Sequence, residues 1–189
     1  MKKNKTTLFG ESLTLQVFKF SFLLLLLSLI TLDSNSQLPS VGLVKDINPG
    51  TTGSSPNGMI KLGSNIIYSA NSGNGNELWK TDGTPSGTVM VKDINTATGT
   101  ASSRPSNFVL MGSFVYFTAN DGVNGGALWR TDGTTAGTTM VKDIRTGATT
   151  STSGISELKA IGSKLYFRGD DGVNGAEPWI SDGTTGGTF

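Results

Sequence analysis

The sequence contains no cysteine and no histidine in 189 residues. These absences exclude His/Cys zinc sites, thiol nucleophiles and catalytic triads that depend on histidine. They also exclude disulfide bonds, so packing must hold the fold together. Oxygen-ligated metals and carboxylate chemistry are the reactive options that remain.

Charge is also scarce, because charged residues make up 15% of the chain. Four of the 15 basic residues and two of the 14 acidic residues lie within residues 1–36, which leaves residues 37–189 with a net charge of −1. Neutralising phosphates needs a basic surface. The sequence therefore predicts no nucleic-acid binding.

Long apolar runs are absent except for residues 20–32, FSFLLLLLSLITL. This run follows a basic segment and precedes small polar residues, an order typical of a secretory signal peptide. We expect residues 1–36 to be that peptide, with cleavage after Ser36 and a secreted or cell-surface product. An uncleaved membrane anchor is the less favoured alternative, because 13 residues fall short of the ~20 that span a bilayer. No membrane association is expected after cleavage.

The rest of the chain is rich in glycine and consists of three copies of one unit, at residues 42–88, 89–138 and 139–188. The copies open with LVKDI, MVKDI and MVKDI and close with ELWKTDGTPSGT, ALWRTDGTTAGT and EPWISDGTTGGT. Repeats of this period indicate solenoids, arrays or propeller blades.

Each unit is predicted to hold four short β-strands, because glycine-rich turns separate short apolar runs. In VLMGSFVYF, two apolar runs split by Gly-Ser predict a hairpin. Val115 and Phe117 point to one face of their strand and Tyr116 to the other. A strand that is apolar on both faces indicates sheets stacked on sheets.

The recurring tryptophan strings are interpreted as structural. The indole would fill the gap between neighbouring sheets, and Asp-Gly would form a turn in which the aspartate bonds a backbone N–H two residues on. An exposed platform for sugar stacking is the competing interpretation of the tryptophans. The structural residues are Trp79, Asp82, Gly83, Trp129, Asp132, Gly133, Trp179, Asp182 and Gly183.

Two loops, ANDGVNGG (119–126) and GDDGVNGA (169–176), offer the oxygen ligands that Ca²⁺ prefers. The candidate ligands are Asp121, Asn124, Asp170, Asp171 and Asn174. Turns stabilised by Asx side chains are the preferred interpretation, because the spacing is not that of an EF-hand and the first copy lacks the aspartate. No catalytic residue and no cofactor is predicted.

Lys-Asp pairs recur at the start of each copy, at residues 45–46, 92–93 and 142–143. Adjacent residues of a strand face opposite ways, so a pair cannot act as one catalytic couple. A ring of charge around a propeller axis and simple capping or a solvated edge are the alternatives, of which capping is favoured.

The pattern ELWxxDGTxxGTxxVKDI, preceded by an ANDG-type loop, resembles the ELWxxDGT repeat family of secreted or surface proteins from Bacteroidetes and other bacteria. The resemblance covers residues 41–189 and implies a β-propeller-like fold without an established common enzymatic activity. The copies depart from the pattern at Ala127, Pro178 and Ser181. Proline at a strand end indicates a sheet edge or a bulge.

Three blades are fewer than the 4–8 of closed propellers. Family members commonly have many repeats, so the chain is expected to be truncated at its C-terminus, or else to stay open or to self-associate with three repeats. A β-trefoil, with three four-stranded units and a closed six-stranded barrel, is the alternative fold.

The expected function is that of a non-enzymatic interaction or adhesion module. Its partner is unknown, and a glycan or a surface protein is the hypothesis. The alternative is the N-terminal part of a propeller-type hydrolase or lyase whose catalytic residues lie in other repeats.

Overall fold

The computed structural model describes residues 41–97, 100–147 and 154–189, and all regular structure in these ranges is β-strand. The predicted signal peptide and its cleavage site lie outside the described residues. No helix in the described ranges is long and apolar enough to cross a membrane.

Eleven strands in the described residues form three antiparallel sheets. The first sheet contains β1 (Asn57–Leu62), β2 (Asn65–Asn71), β3 (Asn76–Thr81) and β4 (Val89–Lys92). The second contains β5 (Ser106–Met111), β6 (Phe114–Asn120), β7 (Gly126–Thr131) and β8 (Thr139–Lys142). The third contains β9 (Ile155–Ile161), β10 (Lys164–Asp170) and β11 (Ala176–Ser181).

The hairpins predicted at Gly-Ser are confirmed. Leu62 pairs with Asn65 across a two-residue turn whose first residue, Gly63, has φ of 60°. A β-branched or bulky residue rarely adopts this left-handed conformation, whereas glycine does so freely. The same turn recurs in the other two sheets, so one local signal builds the first hairpin of each repeat.

Each sheet has two faces, and successive side chains of a strand point to opposite ones. Phe117 pairs with Trp129, and these side chains lie on what we call the tryptophan face of the second sheet. Tyr116 and Leu128 lie on its reverse face. Val115, Tyr116 and Phe117 are all at most 3% exposed, so the prediction that this strand is buried on both faces is confirmed.

The sheets stack in chain order, with each tryptophan face on the reverse face of the sheet before it. At the first junction, Ile67, Leu78 and Val91 of the first sheet pack against Phe117 and Trp129 of the second. The second junction repeats the arrangement, with Tyr116, Leu128 and Val141 against Leu165 and Phe167. Apolar burial at these two junctions provides the main stabilisation of the fold.

The outermost strand of each complete sheet comes from the next repeat. Strands β4 and β8 are the VK segments that open the second and third copies, so sheet boundaries and repeat boundaries are offset. The second and third repeats each contain four strands, as predicted. The first repeat contains three in the described residues, because its opening segment LVKDI, expected to supply the fourth, is not a strand in the structure.

The fold class is thus all-β, with sheets of four, four and three strands in the described residues. None of these sheets closes on itself, whereas the β-trefoil alternative needs a closed six-stranded barrel. The open stacked sheets therefore do not fit that alternative.

The DGT turns have the geometry that the sequence predicts. Asp132 Oδ1 accepts hydrogen bonds from the Thr134 backbone N–H (2.8 Å) and from Thr134 Oγ1 (2.7 Å). Gly133 has φ of 87°, which places the tight turn in the left-handed region. Hydrogen bonds from Thr134 lower the pKa of Asp132 below its ordinary value of 3.8. Asp82 and Asp182 make the equivalent bonds, to Thr84 and Thr184.

Candidate functional site

The three tryptophans do not share one environment. Trp79 and Trp129 are each 7% exposed, so packing in the core is confirmed for them. An exposed platform for sugar stacking does not fit these two residues. Trp179 is half-buried and stacks on Phe167 with ring centroids 6.2 Å apart. A methyl group added to Gly169 would stand 2.5 Å from Trp179 Cδ1, so the indole lies directly over this glycine.

The candidate calcium ligands are engaged in turns. Asp121 Oδ1 accepts from the backbone N–H groups of Val123 (2.9 Å) and Asn124 (2.7 Å), and its Oδ2 accepts from Asn124 Nδ2 (2.7 Å). Partial burial alone would raise the pKa of Asp121, but these hydrogen bonds outweigh it and lower the pKa. The carboxylate oxygens therefore already have donors, as in the favoured Asx turn.

The second loop repeats this pattern, and the side chain of Arg145 lies close to it. Asp171 accepts from Asn174 and Val173 in the same way, and backbone and side-chain donation lowers its pKa. Asp170 accepts from the Gly172 N–H (2.8 Å), and its other oxygen lies 3.9 Å from Arg145 Nη1. In the described part of the chain, no three acidic side chains gather where they could hold a metal ion.

The Lys-Asp pairs act through their lysines, which cap the turn of the following sheet. Lys92 Nζ donates to the Thr138 carbonyl at 2.8 Å, and Lys142 Nζ donates to the Thr185 carbonyl at 3.3 Å. Lys45 makes the equivalent bond to the Thr88 carbonyl at 2.8 Å. These contacts fit the favoured capping role, and those of Lys92 and Lys142 connect neighbouring sheets.

Glu77 is a buried carboxylate that sequence reasoning missed. It is 2% exposed and accepts from the backbone N–H groups of Ile94 (3.0 Å) and Ser103 (2.8 Å), and also from Ser103 Oγ. Burial raises its pKa above the ordinary value of 4.5, although the hydrogen bonds from Ser103 and Ile94 oppose this shift. Glu77 thus fixes the start of the second repeat to the first sheet.

Ala127 replaces this glutamate in the second copy. The replacement indicates that not every unit needs the carboxylate. The structure shows that the residue serves one junction: Ala127 is fully buried without a carboxylate, and Glu177 of the third copy is exposed.

The reverse face of the third sheet is open, unlike those of the first two. Tyr166 is 42% exposed, whereas the equivalent Tyr116 is 3% exposed. Pro178 replaces the buried Leu128 and is exposed. Together with their neighbours they line a groove of about 380 Å³.

The groove combines an aromatic ring with charged groups of both signs. Its charged lining residues are Glu157, Lys159, Arg168 and Glu177. Glu157 has φ of 56°, at the position where the β9–β10 ladder is irregular. Such a surface can bind by ring stacking and by charge-assisted hydrogen bonds.

Comparisons of the chain with family models, with curated proteins and with solved structures gave no match.

Proposed function

We propose that this chain is an exported, non-enzymatic interaction module that binds its partner through the reverse face of the third sheet. One observation carries the proposal. The residues that the first and second sheets bury in their junctions, Ile67 and Tyr116, have an exposed counterpart in Tyr166. Exposed apolar surface rimmed by polar groups is typical of interaction sites.

A propeller-like arrangement of the sheets is part of this proposal. The sheets stack face to face in chain order, and the first strands of consecutive sheets contact one another, β1 with β5 and β5 with β9. Stacking of equivalent four-stranded units with one strand of each toward a common side supports blades. The resemblance to the ELWxxDGT repeat family points the same way, and it also supports export and the absence of a common catalytic activity.

Carbohydrate is the small-ligand hypothesis for the groove. Tyr166 offers a ring on which a sugar can stack, and Arg168 and Glu157 offer hydrogen-bonding groups beside it. The reverse faces of the first and second sheets are each covered by another β-sheet of the chain. A protein partner for the reverse face of the third sheet is therefore favoured at least as strongly as a carbohydrate.

The experiment is retention of the purified protein on a panel of immobilised polysaccharides, followed by chromatography of soluble oligosaccharides incubated with it. We expect retention without shortened products, loss of retention in Tyr166→Lys, and no change in Val123→Lys, since Val123 is exposed and does not line the groove. Shortened products would favour the hydrolase or lyase alternative. No retention on any polysaccharide would overturn the carbohydrate ligand.

A further inference from the structure

We infer that a small uncharged sugar binds between the first and second sheets, in a cleft between the bulged segments of β1 and β5. This site is separate from the groove of the third sheet, because the two share no lining residue. The inference goes beyond the proposed function, which concerns that groove. It is carried by a repeated bulge, by an aromatic ring that is held in place and by an uncharged polar lining.

The first strand of each sheet has a bulge at the same position. Three steps along β1 separate Asn57 from Ile60, whereas two steps along β2 separate their partners. The extra residue falls in a segment whose Gly58 has φ of 70°. Asn107 takes the equivalent place in β5, with φ of 55°. Left-handed residues other than glycine are strained, and both bulges and such strain are frequent at functional sites.

The bulges of β1 and β5 lie on either side of a cleft. The two strands contact one another, and residues 57–60 and 105–108 enclose a volume of about 390 Å³. A volume of this size lies in the range of small-molecule sites. Phe108 lies directly over the backbone of Gly58, because a methyl group added to Gly58 would overlap the phenyl ring. Glycine at this bulge therefore makes room for the ring.

The ring of Phe108 is held in place by the core beneath it. It stacks on Phe117 with ring centroids 5.5 Å apart and ring planes 21° apart, and Phe117 is fully buried. Phe108 itself is half-buried and lines the cleft. Met59, another lining residue, is 66% exposed. A fixed and partly exposed ring is a surface on which the apolar C–H face of a sugar can stack.

The polar side chains of the cleft are two amides and a hydroxyl. Asn107 Nδ2 donates to Thr118 Oγ1 at 3.2 Å, and Ser106 Oγ lies 2.9 Å from the same atom. Thr118 is 1% exposed, so a buried group orients both side chains. Asn57 Oδ1 accepts from the Gly58 N–H at 2.7 Å, which leaves the two N–H donors of its amide for a ligand.

The lining of the cleft determines the charge of its ligand. None of the eight lining residues is charged, whereas the groove of the third sheet has four charged lining residues. Burial of a charged ligand against uncharged walls would cost free energy that no counter-charge offsets. Side-chain amides both donate and accept hydrogen bonds, as the hydroxyl groups of a sugar do. The cleft therefore fits a small neutral sugar better than a charged ligand.

The test is titration of the ¹⁵N-labelled protein with glucose, galactose, mannose and N-acetylglucosamine, followed through the backbone amide signals in NMR spectra. Glucuronate, which adds a carboxylate to the same kind of ring, is the charged counterpart. We expect at least one neutral sugar to shift the signals of Gly58, Asn107 and Phe108 in a saturable way. Glucuronate should bind at least fivefold more weakly. No saturable shift with any of the four neutral sugars would overturn the inference, as would equally tight binding of glucuronate.

Two glycine substitutions provide a matched pair. Gly58→Asn copies the residue that the second repeat has at this bulge, and it keeps a residue that tolerates positive φ. Its side chain would displace the Phe108 ring, so the affinity for the sugar should fall at least tenfold. Gly63→Asn is the control, because Gly63 also has a left-handed φ but has open space around it. It should change the affinity less than twofold, and equal affinities of the two variants would overturn the inference.

A third variant does not depend on the stability of Gly58→Asn. Phe108→Leu introduces the residue that the third repeat has at this position, Leu158, and so keeps an apolar side chain but removes the ring. The affinity should fall at least fivefold, because a sugar loses its stacking surface. The amide spectrum of each variant shows whether it is folded. Unchanged affinity in folded Phe108→Leu would overturn the inference.

Tyr166→Lys separates the cleft from the proposed function. The cleft is exposed along residues 57–59, so it covers only part of a sugar, and we expect binding too weak for retention on an immobilised polysaccharide. Tyr166 does not line the cleft, so Tyr166→Lys should leave the titration unchanged. Shifts that are lost in Tyr166→Lys and kept in Gly58→Asn would overturn the inference and leave the proposed function intact. Shifts with the opposite dependence, in a protein that no polysaccharide retains, would support the inference and count against a carbohydrate ligand in the groove.

Discussion

The second and third sheets contain the same Tyr-Phe pair in their central strands, and the two tyrosines have opposite environments. Tyr116 is 3% exposed and Tyr166 is 42% exposed, whereas the adjacent phenylalanines, Phe117 and Phe167, are both buried. The two phenylalanines are therefore covered alike and the two tyrosines are not. The difference lies in what covers each sheet, and it teaches that burial in a stacked-sheet protein belongs to the junction rather than to the repeat.

The largest expected effect comes from removing an indole at a complete junction. Trp129→Ala should cost ~3–5 kcal/mol in the free energy of unfolding, as expected for a large aromatic residue in a core. Trp179→Ala should cost roughly half as much, because this indole is half-buried and its sheet is covered on one face only. Urea denaturation of both variants measures the difference, and equal costs would contradict the comparison of the two sheets.

Truncation of the two tyrosines compares the reverse faces of the second and third sheets at the same side chain. Tyr116→Ala should cost about 3 kcal/mol, because it leaves a cavity between the second and third sheets. In the monomeric protein, Tyr166→Ala should cost less than about 0.5 kcal/mol, the usual effect of a surface substitution. Thermal and urea unfolding at low protein concentration provide the measurement. A cost above about 2 kcal/mol for Tyr166→Ala would show that its face is covered within one copy.

The two glutamates allow the same comparison with a buried charge. Glu77→Ala should cost about 1–3 kcal/mol, because the N–H groups of Ile94 and Ser103 lose their acceptor. Glu177→Ala should leave the stability of the monomer unchanged, since Glu177 is exposed. Chemical denaturation at neutral pH tests both, and a silent Glu77→Ala would contradict the role assigned to this carboxylate.

The raised pKa of Glu77 adds a pH dependence with a defined sign. Its folded-state pKa lies above the ordinary 4.5, so the folded state binds this proton more tightly than the unfolded state does. Its contribution to stability is fully present below pH 4.5 and is lost as the pH rises through the raised pKa. The stability of the wild type relative to Glu77→Gln should therefore fall as the pH increases from 4.5. A relative stability that rises with pH would contradict the shift.

The smallest effect is expected at the turns, which the second and third sheets share. Asp132→Ala should cost about 1 kcal/mol, because the Thr134 N–H and hydroxyl lose an acceptor at a site open to solvent. Since the pKa of Asp132 is lowered, its contribution should be present above pH 3.8 and be lost as the pH falls below that value. Acid titration of the wild type and the variant, followed by fluorescence, measures this change. Identical acid transitions would contradict it.

Local signals in the sequence predicted much of the fold. Gly63 and its counterparts locate the hairpins, and Asp132-Gly133 locates a turn, because each motif depends on bonds within a few residues. The burial of Trp129 was also predictable, since its apolar neighbours recur at the same phase in each copy. These features need no knowledge of which sheet packs on which.

The open face of the third sheet could not be predicted, because Tyr116 and Tyr166 differ only in the sheet that follows them. Pro178 indicates a departure from the repeat pattern at a strand end, but it does not indicate that a whole face is exposed. The pairing of Glu77 with Ser103 joins residues 26 positions apart across a junction. Contacts of this kind depend on stacking, which the spacing of one repeat does not encode.

The most direct test of the open third sheet is hydroxyl-radical footprinting read by mass spectrometry at Tyr116 and Tyr166. The measurement is made on the wild-type protein at low concentration. We predict that Tyr116 is protected and that Tyr166 is reactive, in line with their exposures of 3% and 42%. Equal protection of the two tyrosines would contradict the open face.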